Sequence, residues 1–214
     1  MTKDNKEISK ATLNRLPSYL KYLYQLDKLN VATVSSTTIA NGLNLNPVQV
    51  RKDIALVSSV AGKPKMGYVT KEIIADLESF LGYNNTHDAV LVGVGGLGKA
   101  FLGYGGFENY GLNIVAAFDN NDRIVNTKIN GKPVYDVSKL KEIVERFNIQ
   151  IGIITVPAYA AQEVADRMVG AGIKAIWNFA SVHLNIPSNV ALKNEDLASS
   201  LALLSLQIQQ TRND

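Results

Sequence analysis

Between residues 12 and 29, in "TLNRLPSYLKYLYQLDKL", apolar side chains return every three or four positions. Leu13, Leu16, Leu20 and Leu23 form one stripe, and Tyr19, Tyr22, Leu26 and Leu29 widen it. That period predicts a long helix with one buried face, kinked near Pro17. Ser35 or Ser36 caps a short second helix through Ala40, and "NGLNLN" reads as a tight break. A third helix starts in "NPVQVRKDIALVSSV": Asn46 is the N-cap, Pro47 fits the first helical position, and Gln49 stands where a capping-box partner reaches back. Val50, Ile54 and Val57 face inward, which leaves Gln49, Arg51, Lys52, Ala55 and Ser59 free to touch something else. "AGKPKMGYV" has no helical period and carries two lysines, two glycines and a proline, as a hairpin tip between short strands would. Three helices and a basic hairpin describe a winged helix-turn-helix domain over residues 1–85.

After the polar, turn-rich stretch at 82–88 the pattern changes. Apolar runs predict strands at 89–93, 113–118, 150–155, 173–177 and near 189–192, separated by helices at about 97–104, 138–147 and 159–170. Such alternation predicts an α/β fold, a Rossmann-like domain with a parallel sheet covered on both faces, over residues 86–192. In the last segment, 193–214, Leu197, Leu201, Leu204 and Ile208 form a stripe that Ala198, Leu203 and Leu206 extend. A helix this apolar has to be buried somewhere, and a partner subunit is a natural place.

Composition excludes several classes. The charged start, "MTKDNKEISK", is no secretory signal, and no run of about 18 apolar residues occurs, so the expectation is a soluble, cytoplasmic protein with no membrane partner. The chain has no cysteine, hence no disulfide, no thiolate metal site and no thiol redox switch. With only two histidines besides, no metal is expected. The net charge of +3 is unevenly placed: residues 1–85 hold 11 Lys and Arg against 7 Asp and Glu, a weak pointer to a polyanion.

"VLVGVGGLGKAF" changes the picture further. Gly93, Gly95 and Gly98 satisfy G-x-G-x-x-G between a predicted strand and helix, with Val94, Gly96 and Leu97 completing the turn. There a helix N-terminus meets a pyrophosphate. Asp119, 21 residues after Gly98 at the end of "NIVAAFD", can accept hydrogen bonds from ribose hydroxyls and repel a 2′-phosphate, so NADH and NAD+ are preferred over their phosphorylated forms. Thr155, Val156 and Pro157 fall at another carboxyl edge, and Asn178 and Phe179 at the next, each a candidate to line the pocket. Catalytic equipment is missing. His87 precedes the first nucleotide strand, His183 has no carboxylate nearby in sequence, and the Tyr24 and Lys28 pair lies before the nucleotide domain. The pocket therefore reads as a sensor and the chain as no enzyme. A small NAD-dependent oxidoreductase and a CoA-binding module stay open as alternatives.

The order of "ATLNRLPSYLKYL", "QVRKD", the "GY" of "MGYV", "VLVGVGGLGKAF", "GYGGF", "IVAAFD", "TVPAYAAQEVADRMVGAGIKAIWNFA" and "NEDLASSLALLSL" resembles the bacterial Rex family of redox-sensing transcriptional repressors over nearly the whole chain. The resemblance implies a homodimer whose winged helices bind an inverted repeat in double-stranded operator DNA, with NADH driving release and NAD+ permitting binding. It implies that the C-terminal helix is domain-swapped onto the partner. Candidate DNA contacts are then Ser36, Asn46, Gln49, Arg51 and Lys52, with Lys63 and Lys65 on the wing. Tyr104 and Leu197 would close the nicotinamide pocket, and Lys21, Tyr104 and Asp196 would form the switch. Three positions depart from the family's pattern: "IALVSSVAG" follows "RKD" in place of an aromatic, glycine-containing stretch, Lys21 replaces an arginine facing the terminal helix, and Leu197 replaces a phenylalanine.

Overall fold

Ser9 starts the first helix by accepting the Thr12 amide hydrogen on its side chain, and α1 (Lys10–Lys28) continues through Pro17 with Leu16, Tyr19, Leu20 and Leu23 fully covered. The computed structural model describes residues 8–58, 67–83, 87–196, 198, 199, 201, 202 and 208, in two units, Met1–Asn85 and Thr86–Asp214. In the first, α1 is followed by β1 (Thr33–Val34), α2 (Ser36–Leu43), α3 (Pro47–Val57), β2 (Tyr68–Val69) and α4 (Thr70–Leu81). Leu16, Leu20 and Leu23 meet Ile39, Val50, Ile54, Ile73 and Leu77 in one core.

Four local features differ from the sequence expectation. The second helix runs past Ala40 to Leu43, and the break is Asn44, in the left-handed region. Gly42 lies inside this helix, and a Cβ there would fall 2.2 Å from the end of the Tyr22 ring on α1. The strand after the wing, β2, pairs antiparallel with β1, which precedes α2. The fourth helix was not expected, although Ile73, Ile74 and Leu77 on its buried face repeat at helical spacing. Lys63, Lys65 and the rest of the wing tip lie outside the described residues.

The second unit alternates β3 (His87–Val92), α5 (Gly96–Gly103), β4 (Leu112–Asp119), β5 (Lys128–Ile129), β6 (Lys132–Asp136), α6 (Leu140–Phe147), β7 (Ile151–Ile154), α7 (Ala158–Gly170), β8 (Ala175–Asn178) and β9 (Ala191–Asn194). Strand order is β5-β6-β4-β3-β7-β8-β9, parallel except for the β5–β6 hairpin. Alternation along β3 feeds both faces: Val90 and Val92 pack with α6 and α7, whereas Ala89 and Leu91 pack with Leu102 and the aromatic side of α5. The order reverses at β3, which places a crevice beyond its carboxyl end, next to that of β7. The β5–β6 hairpin was missed from sequence despite its Asn130-Gly131 turn, both residues at positive φ.

Candidate nucleotide cleft and nucleic-acid interface

Each glycine of the turn has its own reason. Gly93 sits at φ +102, and a Cβ on it would strike Val156 and the backbone of Thr155 at 2.7–2.8 Å. A Cβ on Gly98 would fall 2.1 Å from the Gly93 carbonyl oxygen, so the third glycine lets α5 lie against the turn. Around a Cβ on Gly95 or Gly96 there is open space, so there the missing side chain leaves room for an incoming group. No side chain caps α5, whose first-turn amides at Gly96, Leu97 and Gly98 carry the helix's partial positive charge. Thr155 locks the turn by donating its hydroxyl to the Gly93 carbonyl (2.6 Å), and its amide bonds the Val92 carbonyl at 2.9 Å.

Asp119 ends β4 in the same place. One carboxylate oxygen accepts the Val94 N–H at 2.7 Å and the other the Asn121 N–H at 2.9 Å. Each oxygen still has acceptor capacity for a hydroxyl. Val94 is thereby an internal strut, its amide spent on Asp119 and its side chain buried. A cleft of about 600 Å³ opens here, lined by Gly93, Gly95, Asp119 and Thr155 at its base and by Val137 and Val164 on its apolar walls. That volume is ordinary for a small-molecule site. Val156 and Pro157 also line it, and Tyr159, 89% exposed, stands at its rim beside the Glu163–Arg167 pair (2.8 Å). Neither histidine nor lysine occurs among the lining residues.

Two expected wall residues lie elsewhere. Asn178 is fully buried, and its amide is used internally: nitrogen to the Ala180 and Val182 carbonyls and the Asn194 side chain, oxygen from the Ala180 N–H. It fastens the β8 exit to the β9 end. Phe179 joins Phe101, Phe107 and Trp177 in an aromatic group on the α5 side of the sheet, with ring centroids from 4.6 Å for Trp177–Phe179 to 6.0 Å for Phe101–Trp177. Tyr104, 58% exposed at the end of α5, stacks edge-on to Phe107 at 4.9 Å and lines a separate hollow of about 330 Å³. Asp196 accepts from the Ser199 amide and hydroxyl, which hold its carboxyl below the usual aspartate range. Leu197 lies outside the described residues, as do Leu203, Leu204 and Leu206 of the terminal stripe; Leu201 and Ile208 are exposed in the single chain. Lys21 is exposed on α1.

In the first unit the exposed face of α3 carries Gln49, Arg51 and Lys52. Asn46 caps this helix as expected, its Oδ1 accepting the Val48 and Gln49 amide hydrogens at 2.8 and 3.4 Å. The Gln49 side chain does not reach back in a capping box; it turns the other way and donates to Asp53. Ser36 is a correction too. Ser35 takes the cap, so Ser36 becomes the first helical residue and is buried, not presented to DNA.

Behind α3 lies a charge network that sequence reasoning missed. Asp53, 1% exposed, accepts both Arg15 Nε (2.8 Å) and Arg15 Nη2 (3.0 Å), the Tyr19 hydroxyl (2.7 Å), the Thr12 hydroxyl (3.2 Å) and Gln49 Nε2 (3.1 Å). Burial alone would raise its pKa, but the hydrogen bonds from Arg15, Tyr19 and Gln49 outweigh it and hold the carboxyl below its ordinary value. Burial, and then Asp53, push the Tyr19 hydroxyl up to about 12. The fork of Arg15 pins α3 to α1 through a fully ionised, fully satisfied group. The signal available was helical spacing: Thr12, Arg15 and Tyr19 share one side of α1, as Gln49 and Asp53 share one side of α3.

Residues 7–55 match the family model described as putative DNA-binding protein N-terminus, and residues 84–182 match the CoA binding domain. The chain is 41% identical to the redox-sensing transcriptional repressor Rex of Treponema denticola, over 92% of this chain and 93% of that one. To the Rex repressor of Carboxydothermus hydrogenoformans it is 42% identical, over 95% and 98%. Among solved structures it resembles RSP, a Rex-family repressor, in complex with β-NAD+ and operator DNA (TM-score 0.91, 35% identity, 97% of this chain and 95% of that one). It also resembles RSP in complex with β-NADH (TM-score 0.87, 35% identity, 97% of each chain). Identity of this size along nearly the full length, joined to a glycine turn and a winged helix in one chain, places the protein in the Rex family of redox-sensing transcriptional repressors.

Proposed function

We propose that this chain represses transcription by binding inverted-repeat operator DNA as a homodimer and lets go when NADH fills its nucleotide cleft, so that occupancy of the operator follows the ratio of NADH to NAD+. The observation that carries the reading is one chain holding both parts. Open space at Gly95 faces a capless helix beside the Asp119 carboxylate, and an α3 braced from behind exposes Arg51 and Lys52. Gly95, Gly96, Leu97 and Gly98 hold the pyrophosphate through backbone amides, and Asp119 takes the adenine ribose. Gln49, Arg51 and Lys52 enter the major groove, and Lys63 and Lys65 meet phosphate.

NAD+ and NADH differ at the ring. The oxidised nicotinamide carries a positive charge, whereas the reduced ring is neutral and tolerates apolar burial. A ring pocket closed by Tyr104 and Leu197 favours NADH on that ground. The swapped helix of the partner covers the aromatic surface of Phe101, Phe107, Trp177 and Phe179, and a contact between Lys21 and Asp196 breaks as the dimer changes state. Lysine keeps the charge of the family's arginine without its fork. A regulator's role is supported by the kinship with Rex repressors, and the residues that line the cleft include no histidine or lysine.

Fluorescence anisotropy of a labelled palindromic duplex at fixed salt tests the reading, with NADH, NAD+, both, and CoA added in turn. Release by NADH and not by NAD+ is expected. Indifference to both nucleotides refutes it, and tight CoA binding without NADH binding restores the CoA module.

A further inference from the structure

Gln49 and Asp53 stand one helical turn apart on α3, the first exposed and the second buried. Their hydrogen bond runs 3.1 Å from Gln49 Nε2 to Asp53 Oδ1. A carboxylate with five donors around it can only accept, so the nitrogen end of the Gln49 amide has to face Asp53. The choice between the two ends of the amide, free in an ordinary surface glutamine, is thus made before any partner arrives. The carboxylate itself cannot turn. Arg15 grips both oxygens from α1, Tyr19 holds Oδ2 at 2.7 Å and Thr12 holds Oδ1 at 3.2 Å.

One bond to Asp53 leaves Gln49 a second N–H and both lone pairs of Oε1. That donor and acceptor, side by side, match adenine, whose major-groove edge offers N7 as acceptor and N6–H as donor. We propose that Asp53 is a positioning residue for sequence reading, which fixes the Gln49 amide in the orientation that recognises one adenine in each half of the operator. The inference rests on the reading of this chain as an operator-binding repressor and adds to it a base and the group that selects the base. Arg51 and Lys52, on the same helix, have no such brace in the Asp53 network and supply affinity instead. A glutamine held in place loses less rotamer freedom on binding, so the pairing sharpens the choice of base more than it strengthens binding to every sequence.

The test uses the full chain. Wild type is first offered a library of randomised inverted-repeat duplexes, and binding is then measured to the recovered palindrome and to versions with each half-site base pair exchanged symmetrically. Exchange of the recognised A·T pair is expected to weaken wild-type binding roughly 5- to 150-fold per half-site, and by about the square of that factor when both halves are exchanged together. Gln49→Ala abolishes that penalty and leaves the penalties at other pairs in place. Asp53→Asn reduces it at the same pair, and Gln49→Ala with Asp53→Asn removes no more than Gln49→Ala alone. A merely structural Asp53 gives another result, a loss by one common factor for every duplex with the profile unchanged, and that overturns the proposal. So does a wild-type profile in Gln49→Ala.

If Asp53→Asn does not fold, the side-chain amide of Gln49 decides the matter by NMR in the wild-type chain without DNA. A resolved, slowly exchanging and ordered pair is expected, and a mobile pair at the bulk glutamine position overturns the proposal. A wild-type chain that recovers no palindrome and binds all duplexes alike fails at the earlier step, and takes the repressor reading with it.

Discussion

Substituting Gly98 by alanine tests the nucleotide cleft most directly. The new Cβ would lie 2.1 Å from the Gly93 carbonyl oxygen and 3.1 Å from the Thr155 hydroxyl that donates to it. Ordinary contact needs the start of α5 to withdraw by about 1 Å, and the clash is with backbone, which cannot swing aside. Overpacking of this kind costs roughly 1–3 kcal/mol. The 2.6 Å bond from Thr155 to Gly93 is stretched by the same movement, for about 1 kcal/mol more. A loss of that size leaves most of a domain's typical stability, about 5–15 kcal/mol, so the chain still folds with a lower melting temperature. Binding suffers separately. A charge-assisted hydrogen bond to phosphate is worth about 1.5–3 kcal/mol, and misaligning one amide weakens NADH roughly 10- to 150-fold. Gly95→Ala supplies the contrast: its φ of −73 suits alanine and its Cβ meets nothing within 4 Å, so the fold keeps its melting temperature while the methyl group occupies the phosphate's place. Calorimetric titration with NADH and thermal melting of both variants check this. A Gly98→Ala chain that binds NADH within twofold of wild type and melts with it refutes the geometry.

Asp119→Asn should weaken NADH about tenfold by calorimetry, because an amide cannot accept the Val94 and Asn121 hydrogens and a ribose hydroxyl together; unchanged affinity would remove Asp119 from the site. Tyr19 titrates near 12 in the fold against 10 outside it, so its stabilisation is complete below about pH 10 and is lost as pH rises through about 12, at most roughly 3 kcal/mol. Tyr19→Phe should flatten that alkaline decline in chemical denaturation followed by circular dichroism, and an equal slope in both chains would contradict it. Asp53 has the opposite sign: its lowered pKa gives stability that is present above the ordinary aspartate range and lost as pH falls through the folded value. Replacing Lys63 and Lys65 by alanine should reduce the slope of log affinity against log salt by about 1.8 if both contact phosphate, with no change of base preference.

What was legible in the sequence was what repeats or what geometry demands of glycine. The apolar periods of α1, α3 and α7 marked those helices, and Gly93, Gly95 and Gly98 marked a turn whose steric reasons the structure supplies one by one. What stayed hidden was pairing between distant segments. Helical spacing puts Thr12, Arg15 and Tyr19 on one side of α1, but it does not say that this side meets Asp53, 34 to 41 positions away. Asn178 was misplaced for a related reason: a strand-end asparagine reads alike whether it faces a ligand or closes its own loop, and only the positions of Ala180, Val182 and Asn194 decide. The Asn130-Gly131 hairpin and α4 do carry local signals, a turn pair at positive φ and the Ile73, Ile74 and Leu77 spacing, but a two-residue strand is too short for alternation to mark it, and the helix starts directly after the turn residues of the wing.

On the function proposed above, the cleft and the ring pocket divide the labour of a sensor in a way thermodynamics requires. NAD+ and NADH share adenosine and pyrophosphate, so every contact made at Asp119, Gly95 or the α5 amides contributes equally to both. A ligand shifts a two-state equilibrium only by its differential affinity, and moving one from 1:99 to 99:1 takes about 5.5 kcal/mol, or roughly half that per site in a dimer. The whole of that difference has to arise at the ring, in the pocket proposed above for Tyr104 and Leu197. Weakening the shared half should therefore lower both affinities by one factor and raise the concentration of nucleotide needed, while the ratio at which DNA is released stays where it was. Asp119→Asn that alters the ratio itself would mean that the carboxylate senses the oxidation state through the Val94 amide it holds, and the separation of holding from sensing would fail at that bond.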